Sequence, residues 1–351
     1  MESIKSHSYE VHLEELAEAA LRQHIAKSNY SKVFILVDEN TKKYCLPIFK
    51  KKLEKRVDAI LEIQSGEDHK NITTCSKVWE LLSRHDGDRK SLLLNLGGGV
   101  LTDLGGFVAS TFKRGIDFIN IPTTLLSMVD ASIGGKTGVD LGALKNQIGV
   151  INQPQMVLVF PGFLKTLEAR QLKSGYSEML KHGLIMDADY WKSLKEKNEF
   201  IDALCIKKSI SIKNDVVIQD PTEQGLRKIL NFGHTLGHAI ESYCLENPEK
   251  ETLLHGEAIA IGMILEGYFS HELKGLSKLS LQEIKETFLR HFGRVTFDNQ
   301  DIKAILKLLK YDKKNSHGDV NFVLLQEIGT ALIDIKVPNN LFAKAFAYYA
   351  E

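Results

Sequence analysis

A set of residues in the second half of the chain carries groups that bind metals and anions, at spacings that matter. Arg227, Asn231, His234 and His238 follow one another at intervals of 4, 3 and 4. On a continuous α-helix that spacing places all four on one stripe. Leu226, Ile229, Leu230, Phe232, Leu236 and Ile240 cover the remaining faces. Such a helix is expected to be buried, with its polar stripe lining an internal cavity; a solvent-facing stripe is the plainer alternative. Asn and His are modest helix formers and Gly233 and Gly237 weaken the segment further, so selection for a ligand explains these residues better than selection for a helix. His255 opens LLHGEAIAIGM, and Glu178 and Lys181 stand at i and i+3 in the otherwise apolar GYSEMLKHG. One carboxylate with two imidazoles is a catalytic zinc set that leaves positions for substrate or water. His234 and His238 have the i,i+4 spacing of a metal pair, without an HExxH string. The residues alone leave open which two of the three histidines ligate.

The first half carries a different chemistry. SLLLNL runs into Gly97-Gly98-Gly99-Val100 and then LTDLGG. A strand, glycines and an apolar helix start together offer free backbone N–H groups to a phosphate. The string is not GxGxxG, and a tight strand-to-helix turn would use the same glycines. Asp38 closes the run VFILV, where an acid can accept from ribose hydroxyls or cap the next helix. Pro122-Thr123-Thr124 puts two hydroxyls at another strand end. Asp130 follows the apolar LLSMV, where an unpaired carboxylate would be costly. Arg114, Lys136 beside Gly134-Gly135, and Lys145, which with Asn146 follows a second glycine, are cations that together can neutralise a phosphate; singly, each reads as an ordinary surface cation.

These groups need elements to hold them. Val33–Val37, Ser91–Leu96, Phe118–Ile121 and Met156–Phe160 read as buried parallel strands, with amphipathic stretches such as Asn71–His85 between them. Beyond about Pro161 the helical period dominates: Leu164–Ile185, Ala188–Lys213, Arg227–Cys244, Gly256–Lys274 and Leu281–Phe292. Val320–Leu325 and Ala331–Ile335 are expected strands of a hairpin around Gly329, and Leu306–Asp319 reads as a helix end and a polar loop. The expected fold is therefore an α/β nucleotide-binding domain with a mostly parallel sheet over 1–161. A mainly α-helical metal- and substrate-binding domain over 162–351 follows it.

Bulk composition narrows the function. A chain of 351 residues suits two domains. Hydrophobic residues make 43% and charged residues 26%, the balance of a globular protein. Basic and acidic residues number 45 each, which argues against nucleic acid as a partner. No apolar run approaches the roughly 20 residues of a membrane span, and MESIKSHSYE has no signal core. Cys45, Cys75, Cys205 and Cys244 form no CxxC pair and are expected as free thiols in a reducing cytoplasm.

Taken together, GGGVLTDLGGFVAS, KRG, IPTTLLSMVDASIGGKTGVDLGALKN, GYSEMLK, LRKILNFGHTLGHAIE, LHGEAIAIGM and DKKN resemble the 3-dehydroquinate synthase family of sugar-phosphate cyclases. The strings spread over roughly residues 33 to 330. The resemblance implies a phosphate-eliminating carbon–oxygen lyase of the shikimate pathway, on the route to chorismate and the aromatic amino acids. It would convert 3-deoxy-D-arabino-heptulosonate 7-phosphate to 3-dehydroquinate and phosphate, with catalytic NAD and zinc or cobalt. The family's metal ligands fall on Glu178, His234 and His255, leaving His238 for substrate or proton handling. Its NAD contacts fall on Asp38, Asn40, Glu67, Lys70, Gly98, Gly99, Val100, Asp103, Thr123, Thr124, Lys145, Phe163, Leu164, Lys165 and Thr166. Its substrate contacts fall on Asp130, Lys136, Asn146, Lys181, Lys213, Arg227, Asn231 and His238, with Lys313 or Lys314 toward the phosphate. Arg114 matches an arginine that reaches the neighbouring subunit's phosphate, so a homodimer is implied. Ser177, where Ala is common, and the first thirty residues depart from the pattern. A polyol dehydrogenase with the same architecture would release NADH and need no phosphate-binding lysines. Another cyclase would take a different sugar phosphate, and the Arg227–Asn231 pair favours a carboxylated one. A dead nucleotide-binding module would not need Glu178, Lys181, His234 and His255 intact.

Overall fold

The computed structural model describes residues 2–53, 57–142, 144–197, 201–309 and 320–351. Two compact units divide the chain: Met1–Glu168 with Asp202–Ile218, and Ala169–Ile201 with Gln219–Glu351. The single boundary near 161 becomes one at 168 plus an excursion, because the helix Ala203–Gln219, all but its last residue, returns to the first unit.

The first unit is built on a seven-stranded sheet. The strands of this unit, in chain order, are β1 (Ile4–Lys5), β2 (Glu10–Leu13), β3 (Lys32–Asp38), β4 (Ala59–Ile63), β5 (Ser91–Gly97) and β6 (Asp117–Pro122), followed by β7 (Lys136–Leu141) and β8 (Leu144–Ile151), which stand outside the sheet, and β9 (Met156–Val159). The order across the sheet is β1-β2-β9-β6-β5-β3-β4, parallel except for the β1–β2 edge. KVFILVD and SLLLNLG form central strands because continuous β-branched and aliphatic runs suit a sheet covered on both faces. Phe34, Leu36, Leu93, Leu104, Val108 and Phe118 belong to the core beneath that cover. The helix Gly99–Thr111 lies close on β5 at Gly105: a Cβ there would stand 2.1 Å from Asn95 Oδ1, so any side chain would push the helix off the sheet. Asn95 in turn donates to Asn120 of β6 at 2.9 Å, which pairs two otherwise costly amides inside the sheet. The strands β7 and β8 form a separate antiparallel hairpin. Lys136 therefore opens a strand.

In the second unit the helix His255–Lys274 is buried from Ala258 through Gly267. Helices Ala169–Met186, His234–Glu246, Lys278–Phe292 and Asn340–Ala350 pack around it. The hairpin β10 (Asn321–Glu327) and β11 (Thr330–Lys336) turns at Gly329, φ 95°.

The helical stretches are more broken than their period suggests. Ala188–Lys213 is two helices, Ala188–Lys195 and Ala203–Gln219. Leu164–Ile185 begins as a 3₁₀ turn, Pro161–Thr166, before the helix Ala169–Met186. The expected single helix Arg227–Cys244 is a 3₁₀ turn, Leu226–Asn231, then Gly233 in the left-handed region (φ 79°), then the helix His234–Glu246. Gly233 is required twice over: a Cβ would meet Met263 Cγ at 2.3 Å, and the φ itself penalises other residues. Among the described residues no helix is long and apolar enough to cross a membrane, and the four cysteines are free.

Candidate active site

At the sheet, β3, β5 and β6 are adjacent and level, with Leu36 opposite Asn95 and Gly97 opposite Pro122. Their carboxyl ends thus bring Asp38, the Gly98 loop and Thr123-Thr124 to one edge, where parallel α/β sheets take ligands. Asp38 Oδ1 accepts from Thr41 N at 2.7 Å and Thr41 Oγ1 accepts from Asp38 N at 2.9 Å, so Asp38 fills the helix-capping role. Burial raises its pKa, with the Thr41 bonds working the other way. Gly98 is the N-cap of Gly99–Thr111 and offers no side-chain cap, so the first-turn N–H groups of Gly99 and Val100 keep the anion-binding character of a helix start. Thr123 N donates to Gly97 O at 3.0 Å, tying the two strand ends together.

Lys70, 4% exposed, donates to Asp103 Oδ2 at 2.7 Å and to Asn146 Oδ1 at 2.6 Å, with Glu67 at 3.8 Å. Burial works against the ammonium, but the Asp103 and Glu67 carboxylates outweigh it and hold Lys70 charged. Four expected residues thus form one network. Asn40 donates to Ser65 at 3.2 Å. Phe163, Leu164, Lys165 and Thr166 share the turn after β9, closed by Thr166 Oγ1 donating to Phe163 O at 2.7 Å.

Asp130 lies on a π-helical turn, Ser127–Ala131, and Lys213 Nζ donates to both its carbonyl oxygen (2.6 Å) and its Oδ1 (2.5 Å). The carboxylate that looked costly is therefore paired. Lys136 and Lys145 do not converge as a single anion clamp. Lys136 pairs with Ile151, and Lys145 lies six residues toward the hairpin turn, roughly 20 Å away at strand rise. Arg114 follows Lys113 in the positive-φ region (71° and 52°). It lines a surface groove of about 790 Å³ with Arg89, Lys90, Tyr30 and Asn152. Lys313 and Lys314 lie outside the described residues.

The second unit assembles the metal-type cluster from three helices. Glu178, fully buried, projects from Ala169–Met186; His234 and His238 come from one helix and His255 from the start of another. Glu178 Oε1 is 3.6 Å from His234 Nε2 and 3.6 Å from His255 Nε2. The ligand atoms of His234, His238 and His255 lie within 4.8 Å of one another. The outer nitrogens of two of them are engaged: His234 Nδ1 with Phe232 O at 3.1 Å, His255 Nδ1 with Glu241 Oε2 at 3.3 Å. Lys181 pairs with Glu178 Oε2. Burial depresses the His255 pKa, but Glu178 and Glu241 outweigh it and lift the value to about 9. A carboxylate oxygen and imidazole nitrogens aimed at one point fit zinc or cobalt in type and number.

Arg227 and Asn231 precede this helix on the 3₁₀ turn, so the four-residue stripe reduces to His234 and His238. Asp220 fastens the turn, its carboxylate accepting from the N–H groups of Gln224 (3.0 Å), Gly225 (2.7 Å) and Arg227 (3.0 Å). Arg227 Nη1 donates to Pro221 O at 2.6 Å and Asn231 Nδ2 to Glu223 Oε1 at 2.6 Å.

Sequence reasoning missed Glu241, Glu266 and Asp220. Glu266, fully buried, accepts from Gly233 N at 2.7 Å and Leu236 N at 3.2 Å, and so fixes the turn that starts the His234 helix. An acid inside the apolar run MILEGYF is the same signal that singled out Glu178. Extending the His234–His238 stripe by three residues reaches Glu241.

The fold of the chain is that of solved sugar-phosphate cyclases. A 2-deoxy-scyllo-inosose synthase complexed with carbaglucose-6-phosphate, NAD⁺ and Co²⁺ superposes with TM-score 0.84 at 22% identity, over 99% of both chains. A 2-epi-5-epi-valiolone synthase from Streptomyces hygroscopicus, with NAD⁺ and Zn²⁺ bound, gives 0.82 at 25% identity, over 100% of this chain and 99% of the other. A probable glycerol dehydrogenase from Sinorhizobium meliloti shares the fold more distantly, at TM-score 0.63 and 12% identity over 97% of each chain. The model of the 3-dehydroquinate synthase N-terminal region matches residues 60–174 and that of its C-terminal region residues 175–315. The 3-dehydroquinate synthase of Parabacteroides distasonis is 38% identical over 95% of this chain and 96% of its own length. That of Picosynechococcus is 42% identical over 81% and 80%. The chain belongs to the 3-dehydroquinate synthase family, and it is an enzyme of that family.

Proposed function

We propose that the chain converts 3-deoxy-D-arabino-heptulosonate 7-phosphate to 3-dehydroquinate and phosphate, as a cytoplasmic homodimer with catalytic NAD and zinc or cobalt. The observation that carries this reading is Glu178 Oε1 at 3.6 Å from both His234 Nε2 and His255 Nε2, in a chain that shares its family with 3-dehydroquinate synthases. A metal held there would supply polarisation of a substrate hydroxyl and its ketone, and bound NAD would supply reversible hydride acceptance.

Glu178, His234 and His255 hold the metal. Asp38, Asn40, Glu67, Lys70, Gly98, Gly99, Val100, Asp103, Thr123, Thr124, Lys145 and the turn Phe163–Thr166 hold the dinucleotide. The bare helix start at Gly99 takes its pyrophosphate. Arg227, Asn231, Lys181 and Lys213 orient the substrate's carboxylate and hydroxyls, and Asp130 steadies Lys213. His238 handles the proton of the hydroxyl that is oxidised. Lys136, Lys313 or Lys314, and Arg114 from the neighbouring subunit hold the phosphate as it leaves. The dimer is supported by the Arg114 groove, which also includes Val150 and Ile151, apolar residues exposed on β8.

The test is turnover with a catalytic amount of NAD. Phosphate should be released over many cycles without NADH accumulating, and deuterium at the oxidised carbon should stay in the product. NADH rising in step with product would select the polyol dehydrogenase reading. Release from another sugar phosphate, but not from the heptulosonate, would select a different cyclase.

A further inference from the structure

His255 differs from His234 in what stands behind it. The outer nitrogen of His234 meets a neutral carbonyl, Phe232 O, whereas that of His255 meets the Glu241 carboxylate, Oε2 at 3.3 Å. Glu241 is 6% exposed and lies on the helix His234–Glu246, three residues beyond His238. A proton shared between Nδ1 and a carboxylate fixes the tautomer, so that the Nε2 lone pair faces Glu178, and makes that nitrogen the more basic ligand.

We infer that Glu241 is a positioning residue for the metal centre, which sets the tautomer and donor strength of His255 through their hydrogen bond. The inference rests on the metal-centre reading above. It also gives the two histidines unequal shares, with His255 the more strongly held ligand. A buried carboxylate in that place without such a role would be an expensive way to stabilise a helix.

The experiment measures zinc affinity of the full-length protein by chelator competition, with the visible spectrum of the cobalt form and urea unfolding of the metal-free form alongside. Glu241→Ala should weaken zinc binding about 10–100-fold, the range seen when such partners are removed. Glu241→Gln keeps an oxygen acceptor without the charge. It should fall between Glu241→Ala and the parent, and it carries the test if the alanine variant does not fold. The cobalt bands should shift in both variants. Zinc affinities within about twofold of the parent, together with an unshifted cobalt spectrum, would overturn the inference and leave Glu241 a packing residue. A parent protein that takes up neither zinc nor cobalt would overturn the metal-centre reading, and this inference with it.

Discussion

His255 presents Nε2 to Glu178 Oε1 at 3.6 Å, across two helices that are far apart in sequence. Nothing local requires this meeting: Lys181 engages Oε2 of the fully buried Glu178, and Oε1 is left facing the two imidazoles. His255→Ala should therefore remove zinc from the purified protein, measured by metal analysis, while NAD binding to the first unit persists. Turnover should drop by about 10³-fold or more, the order supplied by metal polarisation of an oxygen. Full metal stoichiometry in the variant would move the ligand role to His238.

The same contact sets a pH dependence of the metal-free protein. The folded pKa of His255 is raised to about 9 because the carboxylates of Glu178 and Glu241 outweigh burial. A raised pKa contributes stability that is fully present below the unfolded value, near 6.5, and is lost as pH rises through the folded one. The urea midpoint of the metal-free protein should fall between about pH 6.5 and 9, and Glu241→Gln should flatten that decline. Zinc uptake within this window should release protons, read as a dependence of binding heat on the buffer.

Lys213 answers Asp130 with two hydrogen bonds. Lys213→Met should destabilise the protein by roughly 1–3 kcal/mol, since it strands a partly buried carboxylate. Adding Asp130→Asn should recover much of that loss in thermal unfolding. It should not recover turnover if the pair orients substrate. Recovery of both would make the pair purely structural.

The phosphate assignment separates Lys136 from the rest. Lys136→Ala should weaken a phosphonate analogue about tenfold or more while sparing its dephosphorylated counterpart, because an ammonium–phosphate contact is charge-assisted. Mixing an Arg114→Ala chain with a Lys181→Ala chain should restore part of the activity if Arg114 acts across the dimer. A mixture as inactive as both parents would confine Arg114 to its own subunit.

Much of this could be read from the chain before folding. Apolar runs located β3, β5, β6 and β9, because a strand covered on both faces must be apolar throughout. The glycine string, the threonines after β6 and the His234–His238 pair are local patterns, and they stand where a local rule puts them. Periodicity failed where the backbone broke its own period. Arg227 and Asn231 fit a helical stripe in sequence, but Gly233 turns left-handed to clear Met263, and no spacing rule sees a neighbour thirty residues away. Tertiary packing alone decided that Lys213 answers Asp130, that Lys136 and Lys145 stand apart, and that Glu241 and Glu266 back the histidine cluster. Lys213 meets Asp130 across 83 residues of chain and Glu266 meets Gly233 across 33. Their geometry follows from how helices and strands pack, and a residue's type gives only its capacity to pair, not its partner.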